Sequence, residues 1–390
     1  MTFSSFLQRL RSPVQALMEG TGKRPWSDLP PEILSMIGDR LHTRMDVLRF
    51  RGVCSSFRSS IPRPGHDASR FPFRIPTNTP RSALFLRAST VYAVETPDGT
   101  ASSGRARWLL KLEESEPGRM RILSLFSRQR IAYLPHEFPE VLDSLQFRIV
   151  EICREYTLEY GGGTGGLVQG VRKVVMHPDC VGSDVDRCSV YFIDGKGRLG
   201  YWRYGDENWS HIDDSQGSGY DDIAVYDSRV CVVDQFGSVS EIDSSFGLQS
   251  LSPPIYSGNH RGSGGFWKQL VVSSGDLYLV DRYTESIAYT EKTRPTCDFR
   301  VYRLDRQWGR WEEARSLGDP AFFLCKHCSF AVSALELGGG NGNCIYYTED
   351  TYSHYSMEIV KVFSLADRSI KWLKYSDWCA RLFQLPNGHA

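Results

Sequence analysis

Between Trp26 and Ser60 the apolar residues recur with helical spacing. Leu29, Ile33, Leu34, Ile37 and Leu41 fall at offsets of 4, 5, 8 and 12, which places them on one face of a helix. Ser27 or Asp28 is the expected cap. Pro30 and Pro31 suit a first turn, where proline gives up only an amide that had no partner. After His42-Thr43-Arg44 a second helical run carries Val47, Leu48 and Phe50, followed by Val53, Cys54 and Phe57. About thirty-five residues cannot bury this much apolar surface alone, because chains so short lean on a metal, disulfides or a partner. The text then changes to IPRPGHDASRFPFRIPTNT at 61–79, where frequent proline ends helices and favours extended chain. That stretch is the expected linker.

From Pro80 onward the pattern becomes short β-rich runs punctuated by Gly, Asp, Asn and Ser. Runs at 189–194, 199–205 and 209–213 read as two hairpins, with a GKG turn at 195–197. A similar unit follows at 223–226, 230–234 and 239–243, with turns at Asp227-Ser228 and Phe236-Gly237. A third uses 269–272, 277–281, 299–305 and Trp311; the last uses 329–333, 344–348, 359–364 and 370–373. Units of about 35–55 residues with three or four strands each are the signature of a β-propeller. Roughly 300 residues of meander exceed a sandwich of about 100. Dividing by about 45 predicts six or seven blades. The repeats lack the paired glycines of kelch blades and a Trp-Asp ending.

Composition narrows the class. Of 390 residues, 41% are hydrophobic and 24% charged, and the net charge is zero, which is ordinary for a globular chain and unlike a disordered one. Residues 1–90 hold 14 Lys/Arg against 6 Asp/Glu, but the basic residues are scattered, so no nucleic-acid partner is expected. The ten cysteines form no framework and are expected as reduced thiols. No apolar run approaches the ~20 residues of a membrane-spanning helix, and no membrane partner is expected. Residues 1–22 form a separate N-terminal segment, amphipathic or flexible, with Phe3, Phe6, Leu7, Leu10, Val14 and Leu17 on one helical face and no acid before Glu19. Such a segment has the character of an organellar transit peptide.

Two resemblances follow from ordered motifs. Leu29-Pro30-x-Glu32, then Leu34-x-x-Ile37, a spacer, and Arg49-Phe50-Arg51-x-Val53-Cys54 resemble the F-box, which docks on the Skp-family adaptor of cullin-RING ubiquitin ligases. Phe57 stands where that family usually carries Trp. The resemblance implies that Leu29, Pro30, Ile33, Leu34, Ile37, Leu41, Val53 and Cys54 bind the adaptor as a helix in a groove, with a nuclear or cytoplasmic location. Behind it, Trp108-LLKLEE, Met120-RILSLFSRQRIAYLP, Val190-YFIDGKGRLGYWR, Ser274-GDLYLVDRYT and Phe299-RVYRLDRQWGRWEEARSLGD are similar to the KIB-type propellers of plant F-box proteins, labelled domain of unknown function 295. Leu125-Phe126-Ser127-Arg128 departs from the asparagine-proline pair of those relatives.

The search for chemistry yields binding rather than catalysis. Cys325-Lys-His-Cys328 is half a zinc site without a second pair, set among strand-like residues where cysteine acts as a small hydrophobe. His177, Cys180 and Cys188 lack an orienting partner. GGGTGG at 161–166 lacks the Lys-Ser/Thr of a P-loop and reads as a loop. No GxSxG, HExxH or kinase signature occurs. No catalytic residue, metal or cofactor is therefore expected. Tyr201, Trp202, Tyr204, Trp209, Trp311, Trp372 and Trp378 are read mostly as core. Arg261, Trp267, Arg282, Tyr283, Arg306 and Trp308, in loops or at turns, are the candidates for target recognition, since hot spots favour Trp, Tyr and Arg.

The expected architecture is an α+β multidomain chain. It comprises the N-terminal segment 1–22, an all-α F-box at 23–61, a Pro-rich linker at 62–79 and an all-β propeller-like domain at 80–385. The expected function is the substrate-recognition subunit of a Skp-cullin-F-box ubiquitin ligase, with the adaptor, the cullin scaffold and an unidentified target protein as partners. The alternative is a non-degradative propeller that inhibits or sequesters its partner.

Overall fold

A computed structural model of the chain describes residues 26–41, 44–62, 73–76, 84–95, 107–116, 119–131, 147–160, 168, 170–179, 187–214, 219–255, 265, 267–285, 295–307, 309–335, 342–349 and 359–373. The segment 1–22, most of the linker, the 161–166 loop, Cys180, Arg261, Trp308 and Trp378 lie outside the described residues. Two compact units emerge, one helical and one built of strands.

In the helical unit a 3₁₀ turn at Trp26–Asp28 precedes α1 (Pro31–Gly38), α2 (Arg44–Gly52) and α3 (Ser55–Ser60). Ser27 and Asp28 are absorbed by the 3₁₀ turn, so neither caps α1; Pro30 takes the cap position without a side-chain bond. The single second helix expected from sequence is two, broken where Cys54 turns extended. Leu34, Phe50, Phe57 and Ile61 form its buried core, with the Phe50 and Phe57 rings 4.7 Å apart. Gly38 lets Ile61 approach: a Cβ there would lie 2.1 Å from the Ile61 Cγ2. The Arg51 guanidinium donates to the carbonyl oxygens of Arg58, at 2.7 Å, and Ile61, groups at the end of α3 that the helix leaves without partners.

Among the described residues the strand unit contains five groups, antiparallel except for one pair in the fifth. The first joins β1 (Phe73–Ile75), β2 (Leu84–Glu95), β3 (Arg107–Glu116), β4 (Arg119–Leu123) and β5 (Arg148–Tyr160) in the order β4-β3-β2-β5, with β1 on β2. The second is β6 (Val171–His177), β7 (Ser189–Asp194), β8 (Leu199–Arg203) and β9 (Ser210–His211), tied to the first through Tyr156 and Val174. The third comprises β10 (Tyr220–Tyr226), β11 (Arg229–Asp234), β12 (Val239–Ile242) and β13 (Leu248–Ser252); the fourth, β14 (Trp267–Ser273), β15 (Asp276–Thr284), β16 (Thr296–Asp305) and β17 (Arg310–Glu313). The fifth holds β18 (Pro320–Leu324), β19 (Ser329–Ser333), β20 (Cys344–Thr348), β21 (Val360–Ser364) and β22 (Ile370–Leu373) in the order β19-β18-β20-β21-β22, its β18–β20 pairing parallel.

Successive groups bury apolar faces against one another. Ile193 and Leu199 meet Ile223 and Val232; Val233 and Val239 meet Leu270 and Leu279; Val280 and Val301 meet Phe322 and Ile345. The innermost strands β5, β6, β10, β14 and β19 lie side by side, and β19 returns to β5. Among the described residues there are thus five groups, where the repeat length predicted six or seven. Residues 73–160 form one long group rather than two short ones, because β2 and β5 are extended strands paired along their whole length.

Turn chemistry is repeated. Asp194, Asp234 and Asp243 each accept two backbone amides of the following turn at 2.8–2.9 Å, the Asx geometry that substitutes for a backbone turn. The two-residue turn at Asp227-Ser228 has φ of 50° and 59°, the left-handed pair that matches hairpin twist.

Candidate interaction surfaces

Burial sorts the eight residues expected at the adaptor surface. Leu34 is 0% exposed and is a correction: it is the centre of the unit's own core. A side chain pointing away from Phe50 and Phe57 would leave that core empty. Leu29, Ile37, Leu41 and Cys54 are half-buried against the same cluster. Ile33, 43% exposed, Val53, 58% exposed, and Pro30 stand in solvent. Three further apolar side chains, Trp26, Met36 and Leu48, are also exposed and were not expected at this surface. The signal for them was present. Apolar residues at 33, 34, 36 and 37 are too many for one face of α1, so some must point outward.

The candidates on the strand unit divide between two ends of one sheet. Trp267 and Arg282 are direct cross-strand partners, with Tyr283 next along β15. Arg306 instead donates to the Gly275 carbonyl at 2.8 Å and to the Tyr226 hydroxyl, just before the other end of β15. Seven steps along the strand separate Gly275 from Arg282, roughly 23 Å at the usual rise.

At the Trp267 end the side chains are already engaged. Arg282 pairs with the Glu349 carboxylate, donates to Thr296 Oγ1 at 2.6 Å and lies 5.3 Å from the Tyr347 ring centre. Lys361 Nζ reaches Glu349 Oε1 at 2.8 Å. Burial works to raise the Glu349 carboxyl, but Lys361, Arg282 and Thr296 outweigh it and hold it below the usual range. Arg300 stacks 5.1 Å from the Tyr283 ring, and Arg172 lies 5.3 Å from the Trp267 ring. Beside them Asp221 accepts the Lys268 amide at 3.2 Å, and burial pushes its carboxyl up to about 6. Two aromatics read as core are exposed, Tyr204 and Trp372; on the outer strand β22 Trp372 is 67% exposed, with Lys361 Nζ 4.8 Å from its ring.

Cys325 and Cys328 face each other across the two-residue turn between β18 and β19, both buried. No group of three or more His, Cys, Asp or Glu among the described residues is placed to hold a metal ion. No helix among the described residues is long and apolar enough to cross a membrane.

Residues 81–364 match the model of the KIB1-4 beta-propeller family. The chain belongs to that family. At5g60060 of Arabidopsis thaliana, which carries an F-box name, is 35% identical over 340 residues, covering 83% of this chain and 87% of the relative. The F-box protein SKIP23 of the same plant is 30% identical over 340 residues, covering 80% and 81%. The chain is thus a plant-type F-box protein with a KIB1-4 propeller. A solved structure from Bacteroides thetaiotaomicron, of unknown function, aligns with a TM-score of 0.28 and 12% identity over 76% of this chain and 82% of that one.

Proposed function

We propose that this KIB1-4 propeller protein is the substrate-recognition subunit of a Skp-cullin-F-box ubiquitin ligase. The observation that carries the reading is the exposed apolar set Trp26, Ile33, Met36, Leu48 and Val53 on a helical unit whose buried core holds only four side chains. Contiguous apolar surface is retained in solvent where a partner covers it, and an adaptor groove is such a partner. Pro30, Leu29, Ile37, Leu41 and Cys54 frame the contact, while Leu34 supports it from inside. The F-box occupies 23–61 and the propeller 80–385. The propeller binds a target protein at the end carrying Trp267, Arg282, Tyr283 and Trp372, and holds its lysines near a ubiquitin-loaded enzyme. The chain itself contributes proximity rather than a catalytic group, and it works in the nucleus or cytoplasm.

The test is co-purification of the adaptor and cullin from plant extract with the intact chain and with an Ile33→Asp/Val53→Asp variant. The intact chain recovers both, and the variant loses both while its propeller partners remain. Failure of the intact chain to recover the adaptor refutes the ligase reading and leaves the propeller as a stand-alone binding domain.

A further inference from the structure

Where cations of the strand unit are buried, the clusters among the described residues match them with carboxylates, with one exception. Lys173 pairs with Asp222, Lys268 with Asp281 and Arg154 with Glu151, one to one. In the first group Lys111, Arg87 and Arg128 meet Glu155, Glu113 and Glu159, three to three. Between the fourth and fifth groups, however, Arg282 of β15 and Lys361 of β21 share the single carboxylate of Glu349. Their side chains are only 13% and 8% exposed, so one positive charge is held largely out of water without a described carboxylate to balance it. A desolvated charge is costly until an opposite charge meets it.

The donors around Glu349 are also more than it uses. Glu349 lies just past β20, and its carboxylate accepts Arg282 Nη2, Lys361 Nζ at 2.8 Å, the Thr296 amide at 3.0 Å and Thr296 Oγ1 at 2.9 Å. Arg282 Nε donates to Thr296 Oγ1 at 2.6 Å. Arg282 thus engages two of its five N–H groups and Lys361 one of its three. The guanidinium lies over the Tyr347 ring. The Tyr347 hydroxyl, beside Thr296 and Glu349, is buried with no hydrogen-bond partner among the described residues. Two cations and a buried hydroxyl therefore gather round one carboxylate that balances half of the charge. At the solvent side stands Trp372, its ring over Lys361 Nζ, and Trp267 faces Arg282 across the strands.

We propose that Arg282, Lys361, Thr296 and Tyr347 form an oxyanion site for an acidic or phosphorylated side chain of the target, an assignment that rests on this being the target-binding end. The incoming oxyanion supplies the second negative charge and accepts from the remaining guanidinium and ammonium N–H groups, contacts about twice as strong as neutral hydrogen bonds. Glu349 is the resident competitor, ionised because its donors outweigh the effect of burial. A second anion shares the two cations with it or displaces it, which favours a phosphate dianion over a carboxylate. A basic target is disfavoured. Arg172, Arg300 and Lys361 already cover faces of Trp267, Tyr283 and Trp372, where a lysine or arginine of the target would otherwise be drawn.

The experiment is equilibrium dialysis of the full chain against radiolabelled inorganic phosphate at fixed ionic strength. The competitors are a capped tripeptide centred on phosphoserine, the same peptide centred on glutamate, and a short thymidine oligonucleotide. The expected result is one saturable phosphate site, displaced by the phosphoserine peptide, less readily by the glutamate peptide, and not by the oligonucleotide. Lys361→Met and Arg282→Gln each weaken phosphate binding about tenfold, the loss of a charge-assisted contact. Arg303→Gln, at the opposite end of the same sheet, leaves it unchanged. Glu349→Gln tightens binding by a similar factor, a gain that misfolding cannot produce. The proposal is overturned by the lack of a saturable site in both the intact chain and Glu349→Gln, by failure of both peptides to compete, by an oligonucleotide that competes as well as they do, or by an equal loss in Arg303→Gln. Adaptor capture is read on the same preparation. Phosphate binding without adaptor capture refutes the ligase reading alone, and adaptor capture without phosphate binding refutes the oxyanion site alone.

Discussion

Leu34→Ala separates support of the docking surface from contact with the adaptor. The side chain is fully buried among Phe50, Phe57 and Ile61, and truncation to alanine removes three carbons. At about 0.8 kcal/mol per buried methylene the transfer loss is about 2–2.5 kcal/mol. The cavity left among rigid aromatic neighbours brings the total to about 3 kcal/mol or more. A helical unit with four core side chains has only a few kcal/mol to lose, so the variant opens about a hundredfold more often. Hydrogen exchange on the full chain reads this directly as faster exchange across 31–61, with the propeller strands unchanged. Adaptor capture falls with it. Ile33→Ser is the contrast: an exposed position costs little stability, so amide protection stays while adaptor capture is lost. Unchanged protection in Leu34→Ala, or full capture by Ile33→Ser, refutes the division of the helical residues into core and contact.

Three other predictions concern the propeller. Ser228→Gly, at a turn position with φ of 59°, relieves the left-handed penalty and raises stability by about 1 kcal/mol in denaturant melts. Glu155 has its folded-state pKa raised to about 7, first by burial, with Lys111 opposing. The folded chain therefore binds more protons than the unfolded one between about pH 4.5 and 7, and stability is lost as pH rises through that window. Its share is read as the part of the pH dependence of Tm that disappears in Glu155→Gln. Trp372→Ala, on the outer strand, leaves Tm unchanged within error but removes target proteins that co-purify with the propeller; retention of every partner rules the residue out of the binding surface.

The blades after residue 189 were legible because their turns repeat a short text. Asp194-GKG, Asp234-QFG, Asp243-SSFG and Asp305-RQWG each end a strand with an aspartate whose carboxylate takes the turn amides. Among the described residues the first group shows no such turn. Its strands β2 and β5 are long and paired end to end, with a register shift at Val91 and Tyr92, so the period that sets the count elsewhere does not appear there. Dividing the chain by the later period gave six or seven units, against five strand groups among the described residues. In the helical unit, periodicity placed α1 correctly but gave no means of telling Leu34 from Ile33. Both lie on the apolar arc, and only the position of Phe50, Phe57 and Ile61 decides which one turns inward.

The inner strands show why the polar part of the propeller was hidden. Tyr220-Asp221-Asp222-Ile223 reads in sequence as a solvated strand start, yet Asp222 is buried. One of its oxygens takes Lys173 Nζ from β6 and the Ile223 amide of β10; the other takes the Leu270 amide of β14 at 2.8 Å. A single carboxylate thus joins the inner strands of three successive blades. Such a group has no local signature, because its partners lie 49 and 48 residues away in sequence. Its energetic logic is also non-local. A buried ion pair contributes little net stability, but a buried carboxylate that loses its donors costs several kcal/mol. Separating these three blades would strand Asp222 in that way. The hydrophobic pattern that is legible in the sequence therefore brings the blades together, and a buried charge that is not legible ties three of them to one another.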